Sequence, residues 1–237
     1  FEVTVVEAGR EFRPFSRDLS AAARWKKSGL LFDEREISLL FPAMRILKAK
    51  DMVLVRGQGL GGTTTISTGN ALRLDSDLRN LGICLDDEFE AIGREIPISV
   101  EHEKDWRPVT RRLFDICRDL GLSPQPTPKM GDYGRCRHCG RCVLGCPQGV
   151  KWDSRRYLDS AMARGARLIS GGRVTRIFVE NGTASGVEVK LGRWKKTLAA
   201  DLIILAAGGL GTPPILMRSG IACQPRLFVD PVLCVAA

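Results

Sequence analysis

Cys136, Cys139, Cys142 and Cys146 stand in the spacing CxxCxxCxxxC, followed at once by Pro147. Thiolates set this close can converge on one compact inorganic core, and iron–sulfur clusters are held by cysteine runs of this kind. Gly140 and Gly145 let the backbone curl round such a core, and Pro147 ends the loop. The run predicts metal or redox chemistry concentrated in one loop.

Other cysteine chemistries compete with that expectation. A disulfide framework suits small secreted domains, whereas this chain is long enough for a core of its own, and adjacent CxxC pairs staple little together. Structural zinc also uses close CxxC knuckles, but it usually separates its two pairs by a dozen or more residues. Unmetallated thiols complete the set. The expectation is an iron–sulfur cluster, 4Fe-4S or 3Fe-4S, on Cys136, Cys139, Cys142 and Cys146. In two-cluster bacterial ferredoxins, which use this spacing, the fourth cysteine of the run ligates the other cluster, and no second run exists here. The fourth ligand therefore stays open between Cys146 folding back, a remote Cys84, Cys117, Cys223 or Cys234, and a three-iron cluster with a vacancy.

Three further stretches carry glycine and hydroxyl chemistry. An apolar strand from Val53 runs into Gly57-Gln-Gly-Leu-Gly-Gly-Thr-Thr-Thr-Ile-Ser-Thr-Gly-Asn70, a loop suited to close backbone approach to a pyrophosphate or a flat ring. No Gly-Lys-Ser/Thr follows, so it is not a Walker A loop. Phe1 to Gly9 reads as a strand closing on Glu7 and Gly9, as the second strand of a dinucleotide-binding unit closes on an acid for the ribose hydroxyls. The glycine fingerprint of such a unit precedes that acid by about twenty residues, so the first strand and its phosphate turn are expected upstream. Ala200 to Pro214 reads as a buried strand breaking into a glycine turn. Thr212 then caps a short helix with Pro213 first and Gly220 past its end, a second place for an anionic cofactor.

The elements that must hold these loops follow from periodicity. Helical pieces are predicted at Leu19–Lys27 and Asp33–Leu40, and two more between residues 80 and 130. The last of these is amphipathic through Val109, Leu113, Ile116 and Leu120, with Cys117 beside that face as a core thiol, and it stops at Gly121. Leu122 to Lys129 is a Pro-rich linker. Asp153 or Ser154 caps a helix through Leu158, Ala161 and Met162 that stops at Gly165. Arg173–Val179, the turn Asn181-Gly182 and Ser185–Leu191 read as a β-hairpin.

Hydrophobic residues make up 44% and charged residues 27%, which excludes a disordered chain, and no apolar run is long enough to span a bilayer. The net charge of +9 points to an anionic partner, and Arg135, Arg137, Arg141, Lys151, Arg155 and Arg156 crowd the cysteine loop. Nucleic acid is not expected, because no binding motif or aromatic interleaving accompanies the charge. Both ends fall inside apolar segments and read as cut. The localisation expected is cytoplasmic.

Taken together, Val6-Glu-Ala-Gly9, Gly59-Leu-Gly-Gly-Thr-Thr64, Tyr157-Leu158 with Ala161, Val174-Thr-Arg-Ile177, and Leu205-Ala-Ala-Gly-Gly-Leu-Gly-Thr-Pro213 followed by Ser219-Gly-Ile221 resemble the glucose-methanol-choline family of FAD-dependent oxidoreductases. The family usually shows Asn three residues beyond the hydroxyl pair, where this chain has Ser67, with Asn70 close by. The resemblance implies an α/β fold, an FAD-binding Rossmann-like parallel sheet with an antiparallel hairpin insertion and a helical segment carrying the cysteine loop. Its expected divisions are 1–80 and 166–222 for the FAD-binding part, 81–165 for the insertion and 223–237 for the start of a substrate domain.

By the same resemblance Glu7 and Gly9 serve the adenosine ribose. Gly61, Gly62, Thr63 and Thr64 lie along the pyrophosphate and flavin, with Ser67 or Asn70 adding a contact. Val174 meets the adenine, and Ala207, Gly208 and Gly209 close on the cofactor. Some sugar and alcohol dehydrogenases of the family carry an iron–sulfur cluster near the position of the cysteine loop. The implied activity is oxidation of a CH–OH group of an alcohol or sugar by FAD, with single electrons leaving through the cluster to an acidic protein or a quinone. The alternative is an electron-transfer or metal-binding module without activity. The family's catalytic His lies near the C-terminus of the full fold, and neither His102 nor His138 sits in its context, so no catalytic residue is expected in this chain.

Overall fold

The computed structural model describes residues 1–11, 13–14, 41, 43–50, 52–224 and 226. In chain order the strands are β1 (Thr4–Glu7), β2 (Met44–Lys48), β3 (Val53–Gly57), β4 (Ile98–Ser99), β5 (Lys129–Met130), β6 (Arg167–Ser170), β7 (Gly172–Glu180), β8 (Thr183–Leu191) and β9 (Trp194–Ala199). The helices are α1 (Ser76–Asn80), α2 (Asp86–Glu95), α3 (Pro108–Asp119), α4 (Arg155–Ala163) and α5 (Thr212–Arg218). The chain divides into two units, residues 1–9 with 167–237, and residues 10–166. The helices expected at 19–27 and 33–40, and Cys234, lie outside the described residues.

In the first unit β1 pairs in parallel with β6, Thr4 opposite Arg167 through Glu7 opposite Ser170. This parallel pair belongs to a mixed α/β fold, as expected. β7, β8 and β9 form an antiparallel sheet. Asn181 and Gly182 turn the β7–β8 hairpin with φ of 51° and 79°, the paired positive values that a two-residue hairpin turn requires and that Asn-Gly tolerates best. Along β8, alternation sends Val187 and Val189 inward, where they join Ile177 and Ile215 in the core, with Val6, Val174, Leu198 and Leu205 packed around them. Val189 is fully buried, which stabilises the unit by roughly 1.5–3 kcal/mol relative to leaving it in water. Ser219 ties α5 to this sheet: its hydroxyl accepts from the Ile177 amide at 2.7 Å and donates to the Ile215 carbonyl at 2.7 Å.

Two expectations for this unit need correction. Residues 202–206 form no strand, and Leu202 and Ile204 are 76% and 81% exposed while Ile203 and Leu205 face the core. The physical reason is that no described backbone lies alongside to pair with the segment, so only one side of it finds apolar partners. Thr212 is the first residue of α5 rather than its cap, and Gly211 takes the cap position, where a Cβ would stand 2.2 Å from the Ala207 carbonyl oxygen.

The second unit is built from short pieces. β2 and β3 make a hairpin that delivers the chain into the 3₁₀ turn Gly62–Ile66. Asp75 and Asp86 are clamped by Arg73 and Arg79, which tethers the start of α2 to α1. These guanidinium partners hold both carboxyls below the usual carboxylate range. β4 and β5 pair antiparallel and lead into the cysteine loop. The apolar face of α3 is present but exposed, Val109 at 62% and Leu120 at 73%, and Cys117 is only half-buried. No helix among the described residues is long and apolar enough to cross a membrane.

The hairpin turn gives a first prediction. Gly182→Ala places a Cβ in a left-handed conformation and is expected to cost about 1–2 kcal/mol, whereas Gly182→Asn should cost less. Urea unfolding of the two variants checks the order.

Candidate functional site

The glycine and hydroxyl turn satisfies itself first. Gly61 and Gly62 have φ of 90° and 52°, and at Gly57 a Cβ would meet the Gly62 carbonyl oxygen at 2.4 Å, so the turn can close only on glycine. Thr63 Oγ1 accepts from the Gly57 amide, Thr64 Oγ1 donates to the Gly61 carbonyl, and Thr65 Oγ1 donates to the Gly62 carbonyl. Ser67 Oγ donates to the Thr64 carbonyl and accepts from the Gly69 amide. Asn70 Oδ1 accepts from Lys129 Nζ at 2.5 Å.

The segment 151–154 then clamps this turn from outside. Lys151 is 3% exposed, and its ammonium donates to the carbonyls of Thr64, Thr65 and Ser67, each at 2.8 Å. Ser154 sits at the N-cap of α4 but caps nothing with its side chain. Its Oγ donates instead to the Gly61 carbonyl at 3.0 Å, and its amide donates to Thr64 Oγ1. The sequence expectation that Asp153 or Ser154 caps this helix is corrected: Ser154 holds the N-cap position with its side chain turned away, and Asp153, one residue earlier, accepts from the Arg155 amide at 3.2 Å in a turn ahead of the helix.

The four cysteines of the loop wall one pocket, together with Tyr133, Arg141 and Lys151 among others. Among its lining residues the formally charged side chains are Arg141 and Lys151, both cationic, which suits an anionic occupant. Tyr133 is 6% exposed, and its hydroxyl is buried beside Cys142 without closing a hydrogen bond of ordinary geometry. Burial first, and then negative charge on Cys142, Cys136 and Cys146, push its phenol well above the usual range. Burial also pushes the Cys142 thiol up, an effect that Lys151 opposes and that Cys136 and Cys146 reinforce. Burial pushes the Lys151 amine down, against Asp153, Cys142 and Cys146, which favour its charge.

A formed metal centre on Cys136, Cys139, Cys142 and Cys146 is not what the thiols present. Among the described residues no three His, Cys, Asp or Glu side chains converge as ligands of one metal ion. Cys139 is exposed and turns toward Gln148 Oε1 at 3.8 Å, while the Cys136 sulfur accepts from the His138 amide at 3.3 Å. The physical reason is that burial, which pushes the Cys142 thiol up, disfavours its thiolate, while the Cys136 and Cys139 sulfurs take local partners instead. No disulfide joins the described cysteines. Of the remote candidates, Cys84 points to Asp86 Oδ2, and Cys223 points to the Pro213 carbonyl within the first unit.

The basic ring is also partly committed. Arg135 pairs with Asp132 while staying exposed, Arg155 pairs with Asp153, and Lys151 is buried on carbonyls; Arg137 and Arg156 are exposed as well. His138 faces Asp105 Oδ2 at 3.3 Å. His102 accepts from Trp106 Nε1 at Nδ1, so it is Nε2–H that donates to the Thr127 carbonyl, a neutral tautomer set by packing.

The remaining predicted cofactor residues divide between the units. Glu7, Gly9, Val174, Ala207, Gly208 and Gly209 belong to the first, and Gly61, Gly62, Thr63, Thr64, Ser67 and Asn70 to the second. Glu7 ends β1 and accepts from the Gly9 amide at 2.6 Å, while Ala207, Gly208 and Gly209 are exposed with open space beside both glycines. Sequence reasoning missed Lys151 as anything but surface charge, and missed Tyr133. The available signal was the apolar setting of Val150-Lys-Trp152, since a lysine between a valine and a tryptophan is poorly placed to be solvated.

The profile of the GMC oxidoreductase family matches residues 43–232. An uncharacterized GMC-type oxidoreductase of Mycobacterium tuberculosis is 32% identical over 195 residues, covering 74% of this chain and 30% of that protein. A long-chain-alcohol oxidase of Arabidopsis thaliana is 32% identical over 134 residues, 49% of this chain and 18% of the oxidase. The crystal structure of pyridoxine 4-oxidase from Mesorbium loti is similar with a TM-score of 0.64 at 21% identity, over 93% of this chain and 47% of that one. The chain thus spans less than half the length of these proteins.

Tyr133 supplies the prediction here. A buried hydroxyl without a partner costs about 1–3 kcal/mol, so Tyr133→Phe should leave the metal-free protein as stable as the parent or more so. Urea unfolding in the presence of a chelator measures this, and a large loss of stability would show that the hydroxyl already has a partner.

Proposed function

The chain belongs to the GMC oxidoreductase family, and on that basis we propose that the complete protein oxidises a CH–OH group of an alcohol or sugar with FAD and releases the electrons singly through an iron–sulfur cluster in the cysteine pocket. The single observation that carries the cluster is the pocket itself: four thiols, two cations and an unpartnered phenol around one small space. Thiolates and sulfide are anionic, and Arg141 and Lys151 offset that charge while the Tyr133 hydroxyl is a donor waiting for an acceptor. A single zinc would need four sulfurs drawn to about 2.3 Å from one point, whereas the irons of a cluster each take a different thiolate and so suit a wider ring.

The flavin reading rests on the turn and on β1. Bound FAD supplies acceptance of a hydride and release of single electrons. Glu7 lies at the carboxyl end of a parallel strand, where open α/β sheets receive their ligands, and is proposed to hold the ribose with Gly9 beside it. Gly61, Gly62, Thr63 and Thr64 are proposed to lie along the pyrophosphate and flavin, and the open space beside Gly62 supports this. Because the Ser67 and Asn70 side chains are engaged locally, the extra contact proposed from that stretch comes from its backbone. Val174 is proposed to meet the adenine, and Ala207, Gly208 and Gly209 to close on the cofactor. Arg137 and Arg156 are proposed to face an acidic acceptor protein or a quinone.

A second reading has oxygen as the electron acceptor, since two of the similar proteins are named as oxidases. Two measurements separate the readings. Anaerobically prepared protein should contain iron and acid-labile sulfide, with Cys142→Ser abolishing the visible chromophore and Cys117→Ser leaving it intact; one zinc and no sulfide would end the cluster reading. The complete protein should turn over faster with artificial one-electron acceptors than with oxygen. Full-rate peroxide formation, together with acceptor reduction unaffected by Cys142→Ser, would favour the oxidase.

A further inference from the structure

Lys151 touches two places at once. Its three N–H donors end on the carbonyls of Thr64, Thr65 and Ser67, and the same side chain forms part of the wall behind Cys136, Cys142 and Cys146. A neutral amine carries only two N–H groups, so three carbonyls at 2.8 Å are all satisfied only by the ammonium. Among the described residues no carboxylate closes a salt bridge with it, although Asp153 lies near enough to favour its charge.

The backbone is shaped to seat this side chain. At Gly69 a Cβ would press on the lysine stem, 3.1 Å from Cγ, and at Gly131 a Cβ would collide with the Val150 carbonyl oxygen at 2.3 Å. Gly131 bridges to Lys151 in antiparallel fashion, which fixes the backbone from which the lysine departs. Two glycines and three carbonyls therefore hold one cation in a dry position, an arrangement more specific than solvated surface charge would need.

We propose that Lys151 is a positioning residue shared by the cysteine pocket and the hydroxyl turn: its ammonium tripod sets the carbonyls of the turn that grips the flavin, and its positive charge at the pocket wall makes a cluster there easier to reduce. The proposal rests on the reading of pocket and turn given above. A fixed positive charge stabilises the more negative, reduced state of a nearby redox centre, and charge is among the features that set the potential of such clusters. The tripod acts on the other side, because carbonyls held by one ammonium cannot swing toward the anionic pyrophosphate.

The two effects have different chemical requirements, which makes them separable. Charge alone serves the pocket, so Lys151→Arg should preserve it. Convergence of three donors on three carbonyls serves the turn, and a planar guanidinium, whose donors fan outward, cannot reproduce it. The experiment uses the complete protein, prepared anaerobically, as wild type, Lys151→Met and Lys151→Arg, with near-ultraviolet circular dichroism to verify folding. Iron and sulfide are assayed, the cluster is equilibrated with a one-electron reporter dye, and the apoprotein is titrated with FAD. Lys151→Met should keep its iron and sulfide, shift the dye equilibrium about tenfold toward oxidised cluster, about 59 mV for one electron, and weaken FAD binding about tenfold. Lys151→Arg should keep the wild-type dye equilibrium and still bind FAD more weakly.

A Met variant that leaves either measurement at the wild-type value overturns the shared role. So does an Arg variant that moves the dye equilibrium as far as Met does, since that marks a merely structural residue. If the Met variant does not fold, the split between the two measurements in the Arg variant decides. Wild-type protein without iron or sulfide sinks the cluster reading itself; FAD titration of Lys151→Met then decides the remaining claim, and unchanged affinity overturns it.

Discussion

One buried ammonium organises the second unit. Lys151 draws three carbonyls of the 61–67 turn to a single point, and each such charged hydrogen bond is worth about 1.5–3 kcal/mol. Without these partners the burial of the charge would be prohibitive, so the lysine and the turn must form together. The glycines at 69 and 131 follow from this, because each removes a Cβ that would press on Lys151 or its backbone, while those at 57 and 61 let the turn itself close. The hydroxyls follow as well. Thr63, Thr64, Thr65 and Ser67 spend their side chains on the turn itself, which frees backbone rather than side-chain groups for a ligand.

Beside this clamp the cysteine loop presents a different balance. Its thiols share a wall with cations, and the Tyr133 phenol lies beside Cys142 without closing a hydrogen bond of ordinary geometry among the described residues. Polar groups buried this way are costly in a finished structure, and they cluster where a further group belongs. The same wall carries the lysine that fixes the turn, so both chemistries legible in the chain meet within residues 10–166.

The sequence was most legible where one local rule dominates. Asn181-Gly182 sits where β7 turns into β8, because few other residue pairs accept two consecutive positive φ values. Gly121, Gly165 and Gly220 stop or follow helices as expected, and the cysteine spacing does bring four thiols round one pocket. It was least legible where tertiary partners decide. The apolar run at 202–206 reads as a buried strand from composition, yet without a neighbouring backbone it lies half exposed. β9 escaped notice because Lys195, Lys196 and Thr197 give no alternating apolar signal, and it is held by its pairing with β8. Ser154 looked like a helix cap, but a partner ninety-three positions earlier in the chain, the Gly61 carbonyl, takes its hydroxyl. Lys151 looked like solvated charge for the same reason: the carbonyls that receive it are remote in sequence.

That diversion of Ser154 has a consequence for how the unit breathes. A helix whose own cap serves a distant turn cannot fray independently, since opening the first turn of α4 also releases the Gly61 carbonyl and Thr64 Oγ1. The turn cannot loosen alone either, because its carbonyls anchor Lys151 just ahead of that helix. In amide hydrogen exchange the two stretches should therefore behave as one cooperative foldon, with a common opening free energy despite their separation along the chain. A protein that grips a ligand through such a turn would register that grip as slowed exchange at the head of a helix.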